Sequence, residues 1–335
     1  MILVTGGTGL LGSHLIYSLV NEGKVVRAIY RNKSKIDKVR KLFAFYKADI
    51  ALFNTIEWIE CDVLDVVTLD EVMQGVAEVY HCAAIVSFRK KDYQFMLRVN
   101  KKGTANIVNC ALSNNVERFC FVSSTAAVGK VIHPDGSFGV EERNKWVDSD
   151  NHSGYAVTKY LSENEVWRGV EEGLNAVIIN PSVIIGPGNW DESSLTLFKT
   201  MSKGLLFYTN GANAFVDVRD VVLAMRQLMS NQEHFHKRYL CTGTNISFKN
   251  LFEIMAIGMK RKAPPFLAGR FLSAIAWRIS WVLSLFTGIQ SVTKESANSA
   301  QAKVNYNSSK LINTLNFNFR SVEDTVIHAI DGRIK

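Results

Sequence analysis

Residues Thr5 to Gly12 read Thr-Gly-Gly-Thr-Gly-Leu-Leu-Gly, directly after the apolar run Ile2-Leu3-Val4 and at the opening of a segment with helical spacing. Gly6 permits a tight turn, and Gly12 permits close packing of helix on sheet. Gly9 lets backbone N–H groups approach a pyrophosphate at the positive end of the helix, with Thr8, Leu10 and Leu11 as the adjoining backbone. A glycine-rich turn alone also reads as mere chain reversal; between a first strand and a first helix it predicts a dinucleotide site.

The first half of the chain carries that architecture onward. Short apolar runs at 2–4, 25–30, 55–59, 79–82, 119–122 and 176–179 read as six strands, and helical spacing occupies 10–21, 66–74, 93–114 and 154–172. Alternation of this kind predicts an α/β, doubly wound parallel sheet, the Rossmann fold, covered by helices on both faces. After Pro181 the pattern loosens into the turn Gly186-Pro187-Gly188 and Asn- and Ser-rich pieces such as 296–309. A dinucleotide-binding domain over 1–180 plus about 209–243 is therefore expected, with a smaller C-terminal substrate-binding lobe over 181–208 plus 244–335.

Charge narrows the ligand. Lys and Arg number 39 against 31 Asp and Glu, a formal net charge of +8. Much of the excess lies between Lys24 and Lys47, where Asp37 is the one acid. No nucleic-acid motif accompanies this cluster, so a phosphate-binding edge or a solvated helix face explains it better. At the end of the second strand an acid would bind the ribose 2′-OH of NAD, whereas an arginine accommodates the 2′-phosphate of NADP. Here Arg31 stands at that place, followed by Lys33 and Lys35, which predicts NADP over NAD; plain exposed surface charge is the alternative.

The five cysteines are widely spaced without a C-x-x-C pair, which indicates neither a disulfide framework nor a zinc site. That usage, with Met1 running straight into the first strand, predicts a cytoplasmic protein. Residues 271–290 approach membrane-span length, but Arg278 near the middle opposes a full span. A buried or lid helix is the expectation there; attachment to a membrane surface through 266–290 is the less favoured alternative.

Three further groups bear on chemistry. Asp62-Val63 follows the third strand, where a carboxylate could accept from an adenine amino group, and Cys82-Ala83-Ala84 closes the fourth with small residues that let backbone lie against a cofactor. Tyr155 and Lys159 are one helical turn apart, so both heads reach one substrate, and an ammonium beside a phenol favours the phenolate. Ser124, at a strand end, offers a hydroxyl to hold a substrate carbonyl, with Ser123 and Thr125 as neighbours of the same chemistry; a turn-capping hydroxyl is the alternative.

Assembled, these residues make the chain resemble the extended short-chain dehydrogenase/reductase family, within the NAD-dependent epimerase/dehydratase superfamily. The resemblance also uses Asn100 with Gly103-Thr104-Ala105-Asn106, Asn180-Pro181-Ser182 and Phe215-Val216-Asp217-Val218-Arg219-Asp220. It implies that Ser124, Tyr155 and Lys159 form the catalytic set, that Lys159 also binds the nicotinamide ribose, and that Pro181 and Val183 lie beside the nicotinamide. The stretches 26–31 and 123–129 look more like the dihydroflavonol reductase and 3β-hydroxysteroid dehydrogenase branch than like nucleotide-sugar epimerases. The implied activity is reversible reduction of a small, fairly apolar ketone or aldehyde by a homodimer. A nucleotide-sugar epimerase or dehydratase holding NAD tightly is one alternative, and a non-catalytic dinucleotide-binding module is another.

Overall fold

The computed structural model describes residues 1–147, 152–269, 271–273, 275, 277, 278 and 293–334. Its centre is a seven-stranded sheet of β1 (Ile2–Thr5), β2 (Val26–Tyr30), β3 (Glu57–Glu60), β4 (Glu78–His81), β5 (Arg118–Val122), β6 (Ala176–Pro181) and β7 (Lys237–Cys241), in the spatial order β7-β6-β5-β4-β1-β2-β3. Every pairing in this sheet is parallel. The order reverses between β1 and β4, and the crevice beyond their carboxyl ends is where such sheets bind ligands.

Strands buried on both faces explain why the apolar runs are continuous rather than alternating. In β6, Val177 and Ile179 pack on one side while Ala176 and Ile178 pack on the other. The first side is covered by α1 (Leu10–Asn21) and by the helix Val218–Ser230; the second by Val66–Met73, Gly103–Ser113 and α2 (Gly154–Glu171). Each large aliphatic or aromatic side chain buried here contributes about 1.5–3 kcal/mol.

Two features depart from the sequence expectation. The seventh strand, β7, was not anticipated: Lys237 and Arg238 open it, and as an edge strand it needs apolar residues only over Tyr239–Cys241, which are buried. The helix expected over 93–114 is broken in two, Tyr93–Met96 and Gly103–Ser113, by a π-helical turn at Leu97–Lys102. Such turns gather at functional sites, and this one displays Asn100.

The chain leaves the main sheet after β6. Val183–Ile185 pairs in parallel with Ala212–Asp217, which pairs antiparallel with Thr244–Ser247. A separate core of Trp190, Phe198, Phe215, Leu251, Phe252, Met255 and Val326 fills this lobe. Asp217 and Asp220, both buried, pair with Arg219 and Arg320, and Arg219 reaches on to Asp324, tying the helix Val322–Asp331 to the main body. Among the described residues no helix is long and apolar enough to cross a membrane. Most of 271–290, the segment read as a lid or membrane-surface helix, lies outside the described residues.

Candidate active site

The glycine turn is shaped by what surrounds it. Gly6 has φ +67°, and a Cβ on it would lie 2.7 Å from Ala83 N; a Cβ on Gly12 would lie 2.3 Å from Gly6 O. Gly9 stands at the N-cap of α1 and provides no side-chain cap, so the helix end presents backbone N–H groups toward the crevice. A cleft of about 180 Å³ opens there, walled by Gly6, Thr8, Gly9, Arg31, Val63, Cys82, Ala83 and Ala84 among the residues nominated from sequence. This cradle fits a dinucleotide: it is close-walled backbone at a positive helix end.

The fourth strand is locked to the turn by a chain of hydrogen bonds. Thr104 Oγ1 donates to Asn100 O at 2.5 Å, which leaves it an acceptor for His81 Nε2 at 3.0 Å. His81 therefore carries its proton on Nε2, and Nδ1 accepts from Thr5 Oγ1 at 2.7 Å, whose oxygen in turn accepts from Ala83 N at 3.2 Å. Burial pushes His81 down to about 3, so the ring stays neutral and the chain intact. Thr5, His81 and Thr104 all lie within motifs legible in the sequence, but nothing local joined them into one hydrogen-bonded chain.

At the far end of the cleft Arg31 lies 3.8 Å from Asp62, each about half exposed. Lys35 lines the same wall. Leu10, Leu11 and Gly12 pack behind the turn rather than on the cleft surface, and Pro181 and Val183 stand outside its walls, at the carboxyl end of β6.

The three residues nominated for catalysis converge from two elements. Ser124 follows β5; Tyr155 and Lys159 lie on the first turns of α2, whose N-cap Ser153 accepts from Ala156 N at 3.1 Å. Ser124 stands beside the Tyr155 phenol. Ser124 Oγ also accepts from Ala126 N at 3.1 Å, so the capping role foreseen as its alternative coexists with this contact. The Lys159 ammonium is buried, donates to Val122 O at 2.7 Å and sits 4.4 Å over the Phe121 ring. Burial lowers it to about 8, opposed by the charge of Glu163.

Tyr155 behaves differently from the sequence expectation. Burial raises its phenol above the ordinary value, the neighbouring Ser124 hydroxyl opposes that rise, and Lys159 is not among the causes. The ammonium faces Val122 O instead, so the free protein holds Tyr155 as a phenol.

Asn100 pins the surroundings. Its amide bonds both backbone groups of Ile85, at 2.8 and 2.9 Å, and donates to Thr158 Oγ1 at 3.0 Å, joining the loop after β4 to α2. That loop and α2 enclose a second cavity of about 260 Å³, lined by Ser87, Phe88, Arg89, Lys90, Tyr93, Met96 and Gly154. The Phe88 ring meets Tyr155 edge-on, centroids 6.3 Å apart.

Against known proteins, a family model described as NAD dependent epimerase/dehydratase family matches residues 2–241. The chain belongs to that family. As a member it is an NAD(P)-dependent enzyme of the oxidoreductase type that binds a nicotinamide dinucleotide and acts on a small molecule. It is 28% identical over 98% of its length to a putative dihydroflavonol 4-reductase of Synechocystis sp., covering 92% of that protein. Cinnamoyl-CoA reductase 1 of Petunia hybrida is 30% identical over 76% of each chain, and sterol demethylase protein B of Methylococcus capsulatus 31% identical over 75% of this chain and 72% of that one. Among solved structures, gox2253 superposes with a TM-score of 0.79 at 26% identity, covering 99% of this chain and 97% of that one. The UDP-glucuronic acid 4-epimerase of Bacillus cereus, at 19% identity and a TM-score of 0.77 over 99% and 98% of the chains, shares the fold.

Proposed function

We propose that this protein is an NADP-dependent reductase of small, fairly apolar ketones or aldehydes, running reversibly to the alcohol. The observation that carries the reading is the Tyr155 phenol, set beside Ser124 and edge-on to Phe88, next to the cavity that Phe88, Tyr93 and Met96 line. A carbonyl oxygen entering between the two would be held by the Ser124 hydroxyl and would face the Tyr155 proton. When bound, the nicotinamide supplies the hydride in reduction or takes it up in oxidation.

Tyr155 gives its proton to the carbonyl oxygen, and a raised phenol pKa keeps that proton available at neutral pH. Lys159, protonated below about 8, supplies positive charge beneath the site and a donor for the cofactor's ribose. Arg31 and Lys35, with Lys33 beside them, supply the cations that suit a 2′-phosphate. Gly6, Thr8, Gly9, Leu10, Leu11 and Gly12 hold the pyrophosphate by backbone; Asp62, Val63, Cys82, Ala83 and Ala84 border the adenosine and central part, and Pro181 and Val183 the nicotinamide end. The lobe of 181–208 plus 244–335 completes the substrate site. The five free thiols suit a reducing cytoplasm, and a homodimer follows from the family resemblance alone.

Calorimetric titration of cofactor-stripped protein with NADPH and NADH, repeated on Arg31→Ala, tests the cofactor half. Tighter NADPH binding that is lost in the variant supports it; preference for NADH, or NAD that cannot be stripped, moves the assignment to an epimerase or dehydratase. Turnover of NADPH against a panel of aromatic and aliphatic aldehydes and ketones tests the rest, and absence of any turnover refutes it.

A further inference from the structure

Lys159 is 2% exposed, and its two close partners, the Val122 carbonyl and the Phe121 face, carry no full charge. A buried ammonium in such surroundings loses its proton unless an anion stands near. Glu163, one turn further along α2 and 1% exposed, is that anion. Its carboxylate accepts from Asn180 Nδ2 at 2.5 Å and faces Arg238 Nη1 at 3.4 Å. Both partners favour the ionised form, against burial, which pushes the carboxyl up. Arg238 is anchored in turn by the backbone carbonyls of Glu142 and Asn144, at 2.9 and 3.1 Å.

The same Asn180 amide that holds Glu163 also donates to Ser124 O at 2.9 Å. One carboxylate thus touches both halves of the site: by charge it faces Lys159, and through Asn180 it holds the strand end that carries Ser124. We propose that Glu163 is a positioning residue, whose buried negative charge keeps Lys159 protonated at neutral pH and whose grip on Asn180 sets Ser124 against Tyr155.

The groups around Lys159 leave Glu163 without a substitute. His81 faces it from β4 and Cys82 from just beyond that strand, and Arg238 pairs with Glu163 from β7. His81 is neutral, burial pushes the Cys82 thiol up to about 12, and Tyr155 is a phenol. Among the described residues facing Lys159, only Glu163 brings a carboxyl group.

The proposal rests on the assigned role of Lys159, and its test separates the two. Side-chain ¹⁵Nζ NMR, with Lys159 assigned by Lys159→Met, reads the lysine midpoint directly. It is expected near 8 in the wild type and lower by about one pH unit in Glu163→Gln, which keeps an acceptor for Asn180 while removing the charge. NADPH binding followed by fluorescence from pH 6 to 9 should weaken through the same two midpoints. An unchanged midpoint in folded Glu163→Gln overturns the proposal. If wild-type protein binds neither NADPH nor NADH, the cofactor role fails while the NMR midpoint still judges Glu163. Should Glu163→Gln not fold, the ¹³Cδ shift of wild-type Glu163, assigned by Glu163→Asp, decides: a carboxylate at pH 7 supports the proposal and a protonated carboxyl overturns it.

Discussion

Arg31 and Asp62 face each other across the outer end of the dinucleotide cleft, guanidinium nitrogen to carboxylate oxygen 3.8 Å apart, with both side chains about half in solvent. At that distance and exposure the pair is worth about 0–1 kcal/mol, so Asp62 does not immobilise the guanidinium. Arg31 is free to turn to a phosphate.

Replacing Asp62 by Asn should therefore change NADPH affinity by no more than a factor of about three, whereas Arg31→Ala should weaken NADPH about tenfold or more and leave NADH nearly unchanged. Calorimetry on the two variants reads both. Equal losses for the two cofactors would show that Arg31 does not meet the 2′-phosphate.

Gly6 and Gly75 share a left-handed backbone, φ +67° and +71°, but only Gly6 has a wall against it. Gly75→Ala should cost about 1 kcal/mol, the strain of the backbone alone. Gly6→Ala adds overlap with the Ala83 backbone and should cost about 3 kcal/mol. Urea unfolding of the pair measures the difference; similar costs would mean that the turn yields easily to a side chain.

Tyr155→Phe removes the proton donor without emptying space. NADPH oxidation on any substrate found in the carbonyl screen should fall by a factor of about 10³ or more, while the NADPH dissociation constant stays within about threefold. Turnover within tenfold of wild type would take the proton-transfer role away from this residue.

Two histidines make the fold sensitive to acid. Burial is the largest cause in each, pushing His14 down to about 4 and His81 down to about 3, against an ordinary value of 6.5. A base with a depressed folded pKa stabilises the fold above the unfolded value, and that contribution is lost as pH falls through 6.5 toward 4. In that window the unfolded chain takes up protons that the folded chain refuses, so stability should fall toward about 2.7 kcal/mol per pH unit for the two together. Urea midpoints at pH 7.5, 6 and 5 read the slope, and a flat profile would contradict the neutral, hydrogen-bonded His81.

How far the sequence showed this in advance follows from the range of each interaction. The turn at Gly6 to Gly12 was legible because its glycine spacing falls within eight residues, though the Ala83 wall against Gly6 did not show there, and the doubly buried strands because both faces demand apolar side chains. Strand β7 was not, since its Lys237-Arg238 opening reads as surface. Glu163 shows only an i,i+4 spacing from Lys159, a pattern common on solvated helix faces; its burial depends on Arg238 and Asn180, which the sheet brings from other strands. Asn100 likewise sits in a stretch of helical spacing, and nothing local announces that a π-helical turn directs its amide at Ile85 and Thr158.

The excursion between β6 and β7 imposes an order on synthesis. β6 emerges with one edge unpaired, and its partner Lys237–Cys241 follows only after the chain has passed through the lobe. The lobe in turn is finished only when Arg333–Ile334 pairs with Gly188–Asn189. A nascent chain therefore carries an open, largely apolar strand edge for dozens of residues, which makes this enzyme a natural client for holding factors at the ribosome and places its aggregation hazard in biogenesis rather than in the finished fold.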